Sequence, residues 1–282
     1  MLDSMVGSLS LFVKVYNVIH GALEKAVELG MIPRNPCKGV AFPAEDKEDM
    51  RVLTQEEQQR FIEALDGEYY RVMLLTYLYT GMRAGECIPL QWKDVDLSKR
   101  TIRVNKKAIL HHDFSKHSAK QEVQDFCKTK SSKRTVAITA GLAAILAEHK
   151  EEMKKRVAAL GLEWSEDSLV FWNTRNKIVQ YGNLKESLNK IYRKAGIENA
   201  TMHTLRHTYA TRCFEAGVNI KAISEQLGHA NVKTTYNIYV HLLEDTKVKE
   251  IDKLSEIDKF IASEDATESS VVIPFPESGK AV

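Results

Sequence analysis

Residues 202–217 read MHTLRHTYATRCFEAG, which packs His203, Arg206 and His207 into five consecutive positions. Leu205, Tyr209, Cys213 and Ala216 recur at spacings of four, four and three, an apolar stripe of helical period. Gly217 stands where a left-handed residue would close such a helix. His203, Arg206 and His207 are three and four apart, so they share a neighbouring face. Polar residues beside an apolar stripe are ordinarily a solvated face. The alternative is that two imidazoles and a guanidinium are presented together to one ligand. The rest of the chain has to decide.

The chain has 282 residues, 44% of them hydrophobic and 28% charged, which suits a soluble globular protein of one large or two ordinary domains. Cys37, Cys87, Cys127 and Cys213 are far apart and form no C-x-x-C pair, which argues against a disulfide framework or a zinc knuckle and fits a reducing cytoplasm. No apolar run approaches the roughly 20 residues that span a bilayer. The first ten residues, MLDSMVGSLS, lack the charged start and long apolar core of a signal peptide, so a cytoplasmic location without membrane association is expected. The formal net charge is +2, but residues 250–282 hold eight acidic against three basic side chains, a net −5, leaving +7 on residues 1–249. A basic body with an acidic tail is compatible with a polyanionic partner.

Residues 9–29 carry apolar residues at helical spacing, and the glycine and two prolines of GMIPRNPCKGV end that helix. The polar segment AFPAEDKEDMRV, residues 41–52, reads as a linker. LTQEEQQRFIEAL opens with Thr54 and Glu57 at capping-box spacing, and YYRVMLLTYLYTG is an apolar helix ending at Gly81. MRAGECIPLQW suggests a short helix. Residues 95–110 and 125–138 alternate and carry Thr, Val and Ile, predicting strands of one small antiparallel sheet, with SLVFW (168–172) a further short strand. Helices are expected over 140–160, 183–195, the HTLRH stretch, NIKAISEQLG, and from Leu243 onward. The final twenty residues are polar and Pro/Ser-containing and read as disordered. The fold class expected is mainly α with a small antiparallel β-sheet.

Four separated pieces then fall into one pattern: TGMRAGE (80–86), placing Arg83 after a glycine-terminated helix; KTKSSKRTVAI (128–138), a lysine-rich turn between strands; HTLRH (203–207); and LGHANVKTTYNIYVH (227–241), with His229 ten residues before Tyr239. In this order and spacing the sequence resembles the tyrosine recombinase family, the phage-type and conjugative-transposon integrases. The resemblance implies an integrase-type catalytic domain over residues 46–245. Residues 1–45 would be the C-terminal remnant of a helical core-binding, DNA-clamping domain plus its linker, N-terminally truncated relative to the family. Residues 246–282 would be an acidic tail, helical and then disordered, that docks on a neighbouring protomer.

The activity so implied is site-specific recombination of integrase or excisionase type through a 3′-phosphotyrosine intermediate. The resemblance makes Tyr239 the nucleophile, Arg83 and Arg206 the clamps on the non-bridging oxygens, and Lys128 the general acid for the leaving 5′-oxygen, with Lys130 its nearest rival. His203 would accept the tyrosine proton or orient the phosphate, and His229 would hydrogen-bond it. Glu86 would prop the site, and His207 would support the helix. Fork-shaped guanidiniums suit a phosphoryl group gaining charge, and a phenol can conserve the phosphodiester bond energy as a covalent ester. No metal, cofactor or ATP is implied, and no acidic cluster offers to hold a metal. The partners implied are double-stranded DNA, a homotetramer assembled on it, and accessory DNA-bending proteins. Tyr209 and Tyr236 compete for the nucleophile's place, and His111, His112 and His117 form a cluster without the Cys or Glu that would complete a zinc site. Three other functions stay open: a helix-turn-helix regulator built on residues 220–239, a type IB topoisomerase, and a metal-dependent nuclease.

Overall fold

The structure, a computed structural model, describes residues 9–40, 42, 50–113, 118–125, 133–229, 231–233 and 235–236. Its internal contacts divide the chain into two units, residues 1–49 and 50–282. In the first, helix α1 (Leu9–Glu28) is followed by a segment folded back along it. Tyr16 Oη donates to the carbonyl of Cys37 at 2.8 Å. The buried Asn35 donates from Nδ2 to the carbonyl of His20 at 3.1 Å and to Glu24 Oε1 at 2.9 Å. Leu11, Val15, Val18 and Ile19 remain exposed on the same helix.

In the second unit α2 (Gln55–Ala64) starts with the expected capping box between Thr54 and Glu57. Helix α3 (Arg71–Thr80) buries Met73, Leu74, Leu75, Tyr77 and Leu78. A helix apolar on every side belongs in the middle of a core, and α3 packs against both α5 (Ala140–Ala159) and α7 (Met202–Glu215). After α3 come the single turn α4 (Ala84–Cys87), then strands β1 (Val95–Asp96), β2 (Thr101–Val104), β3 (Lys106–Asp113), β4 (Ser118–Asp125) and β5 (Arg134–Ala137). Helices α6 (Tyr181–Lys194) and α8 (Ile220–Leu227), with a 3-10 turn at Trp92–Asp94 before β1, complete the described elements.

The strands form two sheets where one was expected. β1, β2 and β5 pair antiparallel in that order, with Ile102 opposite Val136 and Val104 opposite Arg134. β3 and β4 form a separate two-stranded ribbon in which Lys106 faces Asp125. The expected long strand 95–110 breaks at Lys99–Arg100, where Arg100 takes a positive φ of 54°, and again at Asn105, whose side chain turns to the buried Asp94 at 2.8 Å. SLVFW is not a strand of either sheet: Leu169 and Trp172 make isolated bridges to Gln91 and Ile178 while Val170 and Phe171 are buried.

The expected stripe on α7 is also redrawn. Leu205 and Ala210 are fully buried, Tyr209 and Cys213 only partly, and Ala216 is exposed. The buried set includes Thr204, Arg206, Thr208 and Thr211. Polar groups tolerate burial when they are hydrogen-bonded, and Thr208 does two jobs with one hydroxyl. It donates to the carbonyl of Thr204 at 2.8 Å and accepts from the backbone N–H of Leu53 at 3.0 Å. Arg212, one turn further on, donates to the carbonyl of Leu53 at 2.7 Å. The segment leading into α2 is thereby laid onto the helix that carries His203 and Arg206. Thr208→Val keeps the volume and strands the Leu53 N–H, so a loss of about 1–3 kcal/mol is expected. Urea denaturation measures it as a lower midpoint at unchanged slope; an unchanged midpoint would contradict this role.

Candidate active site

The site is built around the carboxyl end of α8. A helix leaves its last carbonyls without intrahelical partners and carries a partial negative charge there. Gly228, at φ +67°, closes α8 in a left-handed turn, and the His229 N–H returns to the carbonyl of Ser224 at 3.0 Å. The carbonyls beyond that turn are taken by arginines. Gln226 accepts from Arg134 Nε at 2.8 Å, and Leu227 accepts from Arg206 Nη2 at 2.7 Å. Leu227 and Gly228 also accept longer bonds from Arg83 Nη1 and Nη2, at 3.5 and 3.4 Å.

Arg206 is held on its other side by the carbonyl of Gly81 at 2.7 Å. Gly81 permits that approach because it ends α3 at φ +62°, and a Cβ there would meet Tyr209 at 2.5 Å. Two residues on, the backbone N–H of Arg83 donates to Glu86 Oε2 at 2.8 Å and its Nη1 to Oε1 at 3.1 Å. Glu86 is buried, and burial would raise its carboxyl pKa. The bonds and charge of Arg134, then Arg83, outweigh that and hold it below the usual value.

Three imidazoles border the arginines. His229 Nδ1 lies 2.7 Å from the hydroxyl of the buried Thr235. The rings of His203 and His207 stand 6.4 Å apart, centroid to centroid. Burial, followed by the nearby guanidiniums, lowers the pKa of His229 from 6.5 to about 4. Burial, then His203 and Arg206, takes His207 to about 4 as well. His203 is lowered by burial and then by Arg206 and Arg83. At neutral pH the rings are uncharged, so each offers one donor and one acceptor nitrogen.

Four of the residues singled out in the sequence, Arg83, His203, Arg206 and His229, are therefore brought to one place, with Glu86 between two of the cations. Lys128, Lys130 and Tyr239 lie outside the described residues. Of the competing tyrosines, Tyr236 is exposed and Tyr209 is packed against the small cluster of Ala210, Ile223 and Leu227. His111 sits on β3 with Nε2 3.5 Å from Glu122 Oε2. Sequence reasoning missed Arg134 and Thr235. Arg134 carried one signal, being the residue at which the lysine-rich turn gives way to the alternating pattern of β5.

Residues 51–245 match the profile of the phage integrase family. The chain belongs to that family. It is 32% identical over 252 residues to the tyrosine recombinase XerC-like protein of Caldanaerobacter subterraneus subsp. tengcongensis, an alignment covering 86% of this chain and 64% of that protein. It is 28% identical over 251 residues to the ICEBs1 integrase of Bacillus subtilis, covering 86% of this chain and 66% of that one. The chain thus spans just under two thirds of the length of these two relatives. Among solved structures, it shares the fold of the Tn1549 transposon integrase in complex with a circular intermediate DNA. That match has a TM-score of 0.72 at 20% identity, over 88% of this chain and 80% of that one. The fold of XerA recombinase is similar too, with a TM-score of 0.55 at 23% identity over 84% and 76% of the two chains.

The depressed histidines set a pH dependence. The folded state binds their protons less readily than the unfolded chain does, so the contribution of the neutral rings is complete above about pH 6.5 and is lost as the pH falls towards about 4. Denaturation midpoints at about pH 7.5 and about pH 5 should differ in that direction, and His207→Gln should shrink the difference. An equal difference in the variant would show that His207 is not the titrating group.

Proposed function

We propose that the protein is a site-specific DNA recombinase that cuts and rejoins duplex DNA through a 3′-phosphotyrosine intermediate, without metal or ATP. The observation that carries this reading is the convergence of Arg83 and Arg206 on one helix end, bordered by the neutral imidazoles of His203 and His229. Two forked cations beside neutral proton acceptors suit a phosphodiester that gains charge on its non-bridging oxygens.

In this reading Tyr239 Oη attacks the scissile phosphorus, giving its proton to His203. The O5′ leaves with a proton from Lys128, the lysine of the KT pair (Lys130 being second choice), and His229 donates to a non-bridging oxygen. A 5′-hydroxyl of another strand reverses the step and rejoins the DNA. Tyr239 is favoured over Tyr209 because burial, followed by Cys213, raises the Tyr209 phenol above its ordinary pKa, making its phenolate costly. The bond energy stays in the phosphotyrosine, so no ATP is needed.

The substrate is double-stranded DNA, with a homotetramer as the working assembly and DNA-bending proteins as accessories. Residues 46–245 are the catalytic domain, residues 1–45 the end of a DNA-clamping domain with its linker, and the acidic tail 246–282 a contact to a neighbouring protomer. Among solved structures of the fold, the Tn1549 transposon integrase is seen in complex with a circular intermediate DNA, XerH recombinase bound to its difH substrate, and a lambda integrase dimer bound to a COC' core site. A regulator would have no use for the Glu86-bound arginines or for a nucleophile.

The test is a covalent trap. The protein is incubated in EDTA with a nicked duplex bearing the ends of the element that carries its gene, then run on a denaturing gel. Wild type is expected to yield a shifted protein–DNA adduct that Tyr239→Phe does not form. An adduct surviving in Tyr239→Phe would move the nucleophile to Tyr236. DNA binding without an adduct in either protein would overturn the enzyme reading in favour of a regulator.

A further inference from the structure

Arg134 opens β5, and the motifs give it no task. Its side chain is 9% exposed. It holds the Glu86 carboxylate in bidentate fashion, Nη1 to Oε1 at 3.0 Å and Nη2 to Oε2 at 2.8 Å, while Nε donates to the carbonyl of Gln226. Room for it comes from Gly228: a Cβ there would lie 2.7 Å from Arg134 Nη1 and 2.9 Å from its Cζ. The Gln226 side chain ties the same helix end to β5 by accepting the Ala137 N–H at 3.0 Å.

Both oxygens of Glu86 are therefore shared between two arginines, and the two are held unequally. Bidentate pairing is the stronger geometry for a guanidinium and a carboxylate, and Arg134 occupies it. The Arg83 guanidinium is left with one bond to Glu86 at 3.1 Å and two long carbonyl contacts, and its side chain stays 46% exposed.

We infer that Arg134 is a positioning residue for the phosphate grip: by occupying Glu86 it keeps that carboxylate from capturing the Arg83 guanidinium. The same side chain fixes the turn of α8 whose Leu227 carbonyl holds Arg206. Without Arg134, Glu86 would draw Arg83 into a closed bidentate pair, turned from its exposed side. This inference rests on the recombinase reading, in which Arg83 grips a phosphate.

The experiment measures the rate of adduct formation over a range of DNA concentrations for wild type, Arg134→Gln, Arg134→Lys and the double variant Arg134→Gln/Glu86→Gln. Arg134→Gln is expected to form adduct about 10²-fold more slowly at saturating DNA, with little change in half-saturation. The double variant is expected to recover part of the rate, because the capturing carboxylate is gone. A double variant no faster than the single one would overturn the inference. The same assay on a 5′-bridging phosphorothiolate, whose thiolate leaves without a proton, is expected to retain the Arg134→Gln defect. A defect that vanishes there would place Arg134 with the leaving-group acid and overturn the inference.

If Arg134→Gln does not fold, Arg134→Lys carries the test, since it keeps the charge but not the fork. It is expected to be slowed about tenfold at saturating DNA, and a wild-type rate would overturn the inference. A wild-type rate in a folded Arg134→Gln would overturn this inference and leave the recombinase reading standing. The absence of any adduct in wild type would overturn both.

Discussion

One buried carboxylate between two guanidiniums, set against the carboxyl end of a helix, is the constraint on which the site depends. Three arginines brought together repel one another, and burying any of them unpaired would cost several kcal/mol. Among the described residues the protein meets this with the carboxylate of Glu86 and with oriented carbonyls. Gln226, Leu227 and Gly228 lie at the negative end of α8, and Gly81 lies at the end of α3. Carbonyls satisfy N–H groups without cancelling charge. Arg83 and Arg134 against the one carboxylate of Glu86 thus leave a group that is hydrogen-bonded and still cationic, which suits the polyanion proposed as substrate.

The rest of the unit can be understood as what brings those groups to one point. Arg83 follows α3, Arg134 begins β5 and Arg206 lies on α7, so three elements far apart in sequence must end at the same helix terminus. The buried α3 makes this possible by packing against α7 and ending at Gly81, whose carbonyl Arg206 reaches. Gly228 does the corresponding work on α8, since a side chain there would collide with Arg134. Both glycines belong to the short motifs first noticed in the sequence. Their presence there is steric as well as conformational: each leaves space for a side chain from another element.

Much of this was legible from residues alone. Among the described residues, helical period and end signals place the helices within a residue or two, and the resemblance of the short motifs to the tyrosine recombinase family singles out Arg83, His203, Arg206 and His229, which meet. What was not legible has particular causes. β4 reads SAKQEVQD, with a single β-branched residue, because among the described residues it pairs with β3 alone and buries none of its described side chains. The stripe on α7 misled because Thr204, Thr208 and Arg206 are buried on the strength of partners distant in sequence, which periodicity cannot register. Arg134 was one cation among several in a basic turn, and Thr235 one of two adjacent threonines. Only the carboxylate and the imidazole they meet distinguish them.

The two arginines proposed to grip the phosphate differ in a way that bears on that chemistry. Arg206 is 6% exposed and fixed by two bonds of 2.7 Å. Arg83 is half-exposed and held by longer ones. A group fixed before the substrate arrives costs nothing to reorganise and stabilises developing charge most effectively. A reaction that must also run backwards exchanges its attacking and leaving oxygens between cleavage and rejoining. A grip rigid at both arms would favour one arrangement over the other. A rigid Arg206 with an adjustable Arg83 can follow the phosphoryl group through both directions. The neutral imidazoles suit the same symmetry, because an uncharged His203 can take a proton in one direction and return it in the other. On the proposed chemistry the unequal sharing of Glu86 gains a functional sense: it would hold Arg83 near the phosphate without fixing it there.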